Sequence, residues 1–473
     1  MNCNDKIIQR CDKVMVVCFY ATIFFLPIST AIIETLFGII IFSYIFKRER
    51  LFYQSIEDIN RHNKGEIWKV WQKFLQVFKP VNTNLNKSIG LYVFICFMSI
   101  FYSHYPYLSL KAFIFKLLQD VFTCLLFVEC INSVVRFRNF FIIYLASFSL
   151  ISLSGISQYF FKYEFIHHHL IIDGRVTSSF RHANDFGGYL LIGVPVLINL
   201  CLLALRQRKI FSSLSFFKNN ILKIILFISM ILSIMCLAFT FSRGVWLGFC
   251  FSLFLLFRYR KTNIQGVFIL LIGILFFSIF PPLMEHNRNV SFFTDDVKSL
   301  KIQENKYSKE KGLQRMIHIA STIISQLQYF GGQDRKIYWQ EAIRIIKHYP
   351  ILGTGLNTYS MVAPKYKISW GGYPHNCYLQ MTAELGIVGL MVFLRICYNI
   401  FHYAGEVFKK NNCELDNTLL SGFLAGLLGY LVHSFFDTNF YSVQLDILMW
   451  LTIGIIINIS KRSNTDWECL DKT

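Results

Sequence analysis

One short stretch, Gly371-Gly372-Tyr373-Pro374-His375-Asn376, sets two permissive glycines, a proline, an imidazole and an amide just ahead of an apolar run. An imidazole is suited to give or take a proton near neutral pH, and the proline restrains the chain that delivers it. Taken alone, a histidine at a helix start is more often a cap or a satisfied polar residue. Two arginines share its setting. Arg243, in Phe241-Ser242-Arg243-Gly244, is the abrupt link between two apolar runs; Arg335 and Lys336 open a patterned helix after Gly331-Gly332. A guanidinium presents a fork of donors that fits a phosphate, and the free amides of a helix start already favour an anion. Each has a plainer reading: Arg243 snorkels to lipid headgroups, and Arg335 with Lys336 forms a solvated basic helix end.

A second polar segment, Gly174 to Gly188, carries Arg175, Arg181, Asn184 and Asp185. Asn184 or Asp185 is expected to cap the helix that follows, while Arg175 and Arg181 add charge suited to a phosphate or an acidic sugar. His167-His168-His169 resembles a metal cluster, but adjacent side chains diverge and no Cys or carboxylate group joins them. No metal site is expected, and none of the Walker, GxSxG or HExxH patterns occurs. Asp437, in Phe435-Phe436-Asp437-Thr438-Asn439, reads as a turn residue.

The elements that position these residues are membrane spans. The chain of 473 residues is 54% hydrophobic and only 16% charged, where a soluble protein carries about 25%. Apolar runs read as spans at 14–29, 31–46, 88–103, 111–131, 138–158, 185–205, 221–241, 244–258, 264–283, 376–402, 417–435 and 443–460. The first two are parted only by Pro27-Ile28-Ser29. Lys47 to Lys87 form a basic, Trp-containing segment that reads as a cytoplasmic surface helix. The net charge of +19 does not imply nucleic acid, because Lys and Arg gather in the short loops of one side. That bias places both termini inside. The N-terminal apolar run has no convincing cleavage site and reads as a retained helix. The 13 cysteines show neither CxxC pairs nor metal-type spacing, so no disulfide framework is expected. Lys116 and Asp120, four apart in the fourth span, are placed to pair on one face.

The long segment 284–372 faces outward on this reading. Leu313, Ile317, Ala320, Ile324 and Leu327 form one amphipathic pattern. A second helix, with Asp334 as cap and Tyr338, Ala342, Ile345, Ile346 and Tyr349 as its apolar face, stops at Pro350. Three units follow: an N-terminal transmembrane bundle, 1–283; an outer loop domain, 284–375, holding Arg335 and His375; and C-terminal transmembrane helices, 376–473.

The motifs in this order resemble the O-antigen ligase and O-antigen polymerase superfamily of bacterial inner-membrane glycosyltransferases. The matching pieces are Arg175-x-x-Ser178-x-Phe180 with Asn184; Thr240-Phe241-Ser242-Arg243-Gly244; Arg335-x-x-x-Trp339; Pro350-Ile351-Leu352-Gly353-x-Gly355-x-Asn357-x-Tyr359; Pro374-His375-Asn376-x-Tyr378-Leu379; and Glu384-Leu385-Gly386-Ile387-x-Gly389. Ala183 departs from the proline that many members place before the asparagine. The resemblance implies an all-α, GT-C-like polytopic membrane protein of about twelve transmembrane helices, with its active site facing the periplasm and no cofactor. It implies transfer of a polysaccharide from undecaprenyl diphosphate to the lipid A-core of lipopolysaccharide, metal-independent and inverting. His375 would be the base; Arg243 and Arg335 would bind the donor diphosphate; Arg175, Asn184, Asn376 and Lys336 are candidate substrate contacts. The related polymerase, joining lipid-linked repeat units, is the nearest alternative; a protein O-oligosaccharyltransferase and a lipid-linked glycan flippase are more distant ones.

Overall fold

The computed structural model describes residues 3–62, 67–171, 174–206, 220–259, 333–366, 373–411 and 413–462. The helices, in chain order, are α1 (Cys3–Phe25), α2 (Thr30–His62), α3 (Ile67–Phe78), α4 (Asn86–Tyr102), α5 (Pro106–Ala112), a π-helical turn (Phe113–Leu117), α6 (Leu118–Cys130), α7 (Val134–Phe161), α8 (Ala183–Arg206), α9 (Asn220–Phe239) and α10 (Arg243–Tyr259). After the undescribed part of the long segment come α11 (Gln333–His348), the single turn α12 (Tyr359–Val362), α13 (Cys377–Lys410), α14 (Glu414–His433) and α15 (Val443–Arg462). Among the described residues the extended structure is one isolated bridge, Tyr163 to Leu170. Thr30–Ile56, Val134–Phe161, Ala183–Leu205, Cys377–Lys410, Glu414–His433 and Val443–Arg462 are long and apolar enough to cross a membrane, and Asn86–Tyr102 and Lys223–Phe239 are shorter apolar helices. The protein is an all-α polytopic membrane protein. The expected span 264–283 and the pattern 313–327 lie outside the described residues.

The core is built on α8, which is buried on nearly all sides by α9, α10 and α14. Small residues make this possible. A Cβ on Gly248 of α10 would stand 2.4 Å from the carbonyl oxygen of Gly429 on α14, and one on Gly426 2.5 Å from that of Ile192 on α8. Close backbone approach of this kind is how helices gain dispersion contacts where lipid offers no hydrophobic contrast. Ser252 Oγ donates to Ala425 O across the α10–α14 seam at 2.8 Å.

Several expectations change. The break at Pro27-Ile28-Ser29 is present, but α2 does not end near residue 46; it continues to His62. Lys47 is held 2.7 Å from Asp12 and Arg48 2.6 Å from Glu129, so the basic residues are paired within a continuing helix. The surface helix of this segment is α3. Lys116 pairs with Asp446 of α15 at 3.9 Å, with its ammonium 4.5 Å from the Tyr441 ring centroid, rather than with Asp120. Lys116 reaches across to α15, which packs against α6. Asn184 and Asp185 lie inside the first turn of α8 rather than before it, and the Asn184 side chain is engaged by Arg175 and Asp437; the side chain of Asp334 lies outside the described residues. Ten described cysteines are free thiols, as expected, but Cys413 is disulfide-bonded.

Candidate active site

The chain enters α13 through buried Pro374 and then His375, whose φ of 46° is left-handed. That conformation costs an ordinary L-residue about 1–2 kcal/mol. Contacts on both sides offset it. Asn376 is the N-cap of α13, its Oδ1 accepting from the amides of Tyr378 and Leu379 at 3.0 Å each. The Cys377 amide donates to Ser434 O at 2.9 Å, and its thiol to Asp437 O at 3.1 Å. The start of α13 is therefore stitched to the turn between α14 and α15, and this sets Asp437 beside the imidazole.

His375 Nδ1 lies 3.2 Å from Asp437 Oδ1, with 41% of the histidine side chain exposed against 9% of the aspartate's. The other carboxylate oxygen, Oδ2, accepts from Asn184 Nδ2. Asn184 Oδ1 in turn accepts from an Arg175 amino group at 2.7 Å, and Arg175 Nε donates to Thr240 O at 2.8 Å. A continuous chain thus runs Arg175, Asn184, Asp437, His375 through four separate loops and helix starts. Burial pushes the Asp437 carboxyl up. The His375 hydrogen bond, the nearby His433 and the Thr438 amide together outweigh it and hold the carboxyl well below the usual carboxylate range. An ionised carboxylate only accepts, so Nδ1 carries the proton and the Nε2 lone pair is left for other work.

Arg335 stands in the first turn of α11, half-buried, one turn before Tyr338, whose ring centroid is 6.1 Å from that of His375. The charges of Arg335 and Arg175 both act on His433. Arg243 is the first residue of α10, just after Phe241, which has a left-handed φ of 47°. A Cβ on the adjacent Gly244 would lie 2.8 Å from Phe436 Cβ and 3.1 Å from His433 Cδ2, so α10 begins against the same turn that carries Asp437. Arg175, Arg243 and Arg335 therefore all belong to segments at the end of the bundle that carries His375. Asn376 is engaged in capping. Lys336 is exposed and, among the described residues, makes no hydrogen bond or ion pair to this cluster. His167 binds Ile28 O at 2.7 Å through Nε2, and His169 faces Glu164 at 4.0 Å.

The loop from Pro350 to Tyr359 locks α13 in place. Gly386 breaks that helix with φ 67° and ψ −174°. Into the break the loop inserts: Ile387 N donates to Pro350 O at 2.9 Å and Gly355 N to Glu384 O at 2.8 Å. The buried Glu384 carboxylate collects the amides of Asn357 and Tyr359, the Gln380 amide and the Tyr441 hydroxyl. Two motifs some thirty residues apart in sequence are thus one clasp, directly behind the histidine-bearing helix start. Apolar residues of α11, Ala342 and Ile345, pack with Tyr359, Val362 and Ala383 on top of it.

Sequence reasoning missed Asp437 as the partner of His375, His433 beneath it and Glu384 as a hub. Asp437 follows His375 by 62 residues, and its one sequence signal was a lone carboxylate in the short link before the last span.

A family profile described as O-antigen ligase matches residues 228–394. The match takes in Arg243, Arg335 and His375 and leaves Arg175, Asn184 and Asp437 outside. A Rickettsia conorii protein, provisionally named a polysaccharide ligase, is 28% identical over 111 residues, which cover 21% of this chain and 27% of that protein. The match thus spans about a quarter of that relative's length.

Proposed function

Since the chain belongs to the O-antigen ligase superfamily, we propose that it transfers a polysaccharide from undecaprenyl diphosphate to the lipid A-core of lipopolysaccharide on the periplasmic face of the bacterial inner membrane. The observation that carries this reading is the half-exposed His375, oriented through Nδ1 by Asp437, at the end of the bundle where Arg243 and Arg335 stand in the first turns of α10 and α11. In the reaction the acceptor hydroxyl oxygen attacks the anomeric carbon. Its proton passes to His375 Nε2, the new glycosidic bond forms, and the bond to the diphosphate oxygen breaks. Asp437 holds the ring in the tautomer that accepts at Nε2 and stabilises the imidazolium that results. Arg243 and Arg335 meet the charge that develops on the leaving diphosphate, with preorganised donors where low dielectric makes them effective. Attack opposite the leaving group inverts the anomeric centre. Arg175 serves this site through Asn184, as the far end of the chain that positions Asp437.

The test is a deletion strain examined for its lipopolysaccharide and carrier-linked glycan. The ligase reading expects loss of the whole polysaccharide ladder, with carrier-linked polymer retained. Core capped by a single repeat would assign the chain to polymerisation instead, and an unchanged ladder would remove both.

A further inference from the structure

The helix α3 has an apolar arc far wider than its neighbours cover. Within Ile67–Phe78, Val70, Phe74, Val77 and Phe78 lie on one side of that arc, and Phe74 packs against Phe52 of α2 with ring centroids 5.5 Å apart. Trp68, Trp71 and Leu75, at spacings of three and seven residues, form the other side and are 66%, 52% and 55% exposed. Exposure of this size on large apolar side chains occurs elsewhere on the outward faces of the spans, at Phe42, Phe94 and Phe254, where lipid covers them. The polar arc holds Gln72, Lys73 and Gln76, all exposed. From Ile67 to Lys87 the sequence carries lysines and no carboxylate.

The connections of α3 fix where this face can go. It follows α2, whose span ends at Ile56, and precedes α4, the apolar helix that begins at Asn86. The far end of α4 reaches the active-site end, since Gly355 packs against Ser103. The start of α4, and α3 before it, therefore lie at the opposite end of the bundle. A short amphipathic helix tethered on both sides to membrane helices is held at the bilayer boundary, where indoles settle at headgroup depth.

We propose that α3 is an interfacial helix that inserts Trp68, Trp71 and Leu75 into the leaflet opposite the active site, and that its lysines bind anionic phospholipid headgroups. Charge complementarity favours a lipid surface over a partner protein: each lysine near an anionic leaflet contributes about 1 kcal/mol, and α3 packs through Phe74 on Phe52 of α2, close to where the α2 span ends at Ile56. This proposal is independent of the transferase chemistry.

The full chain is reconstituted in bilayers with brominated acyl chains, either phosphatidylcholine alone or phosphatidylcholine mixed with phosphatidylglycerol. The emission of the wild type minus that of a Trp68→Phe/Trp71→Phe variant isolates the two indoles from the remaining tryptophans. Both positions are exposed, so the variant keeps its fold. The expected result is a blue-shifted difference emission that loses most of its intensity to bromine in the anionic bilayer and less in the neutral one. Lys73→Glu with Lys79→Glu should abolish the difference between the two lipids. A difference emission at water-exposed wavelengths, unquenched in both bilayers, would overturn membrane insertion. Equal quenching in both would overturn the headgroup preference.

Discussion

Nδ1 of His375 stands 3.2 Å from Oδ1 of Asp437, the histidine at the start of one membrane helix and the aspartate in the link between two others. The pair is neither local nor accidental in its geometry. Asp437 meets the imidazole with one oxygen and Asn184 with the other, so its carboxylate can move little without losing one of them.

Removing the imidazole tests the reaction directly. His375→Ala and His375→Gln should insert, keep donor binding and lose transfer by about 10²–10⁴-fold, the range for a general base. In vitro transfer normalised to detergent-stable protein measures it. Near-normal specific activity in both would take His375 out of the mechanism.

Asp437→Asn asks what orients that imidazole. A neutral amide offers one acceptor oxygen where the carboxylate offers two, so either His375 or Asn184 loses its partner. Transfer should fall by at least about 10²-fold with donor affinity retained, and the pH–rate profile should shift. An unchanged profile with full activity would reduce the contact to a structural one.

For Arg243 and Arg335 the expected signature is in binding. Lysine keeps the charge and loses the fork, so Arg→Lys should weaken capture of carrier diphosphate and Arg→Ala should weaken it more. Affinity of purified protein for the lipid diphosphate is the readout. Wild-type affinity in both alanine variants would refute a donor-phosphate role.

Gly386→Ala should unfold the clasp. A Cβ there would stand 2.0 Å from Ile351 O, on a backbone with φ 67°. Strain of this kind costs about 1–3 kcal/mol, before the clash is counted. Thermal stability in detergent should drop and transfer should fall with it; a wild-type melting temperature would show that the helix break can close without harm.

The depressed Asp437 carboxyl carries a pH dependence of stability. A folded value below the unfolded one, about 3.9 for an aspartate, means that Asp437 stabilises the fold fully above that pH. The contribution fades as pH falls toward the folded value. Melting temperatures of the wild type should fall steeply below about pH 4, and Asp437→Asn should show a shallower acid decline. Parallel curves would contradict a stabilising role for the ionised Asp437 carboxylate.

What the sequence determined by itself is whatever repeats along the chain. Apolar runs long enough to cross a bilayer made the class plain, because lipid leaves helices as the economical way to satisfy backbone amides. The break at Pro27 and the helix carrying Arg335, with its apolar face, were legible from residue type and local spacing. Where α2 ends was not, because paired charges on α1 and α6 let it continue past Lys47. Nor was the Lys116–Asp446 pair, because its two residues are far apart in sequence and meet only where α15 packs against α6. Asn184 read as a cap by local rules, yet its side chain is taken by Arg175 and Asp437. Only the tertiary structure decided that Arg175, Asn184, Asp437 and His375 form one hydrogen-bonded chain. Side-chain hydrogen bonds depend on distance in space, and packing of α8, α13 and α14 brings those residues together from positions that sequence spacing cannot relate.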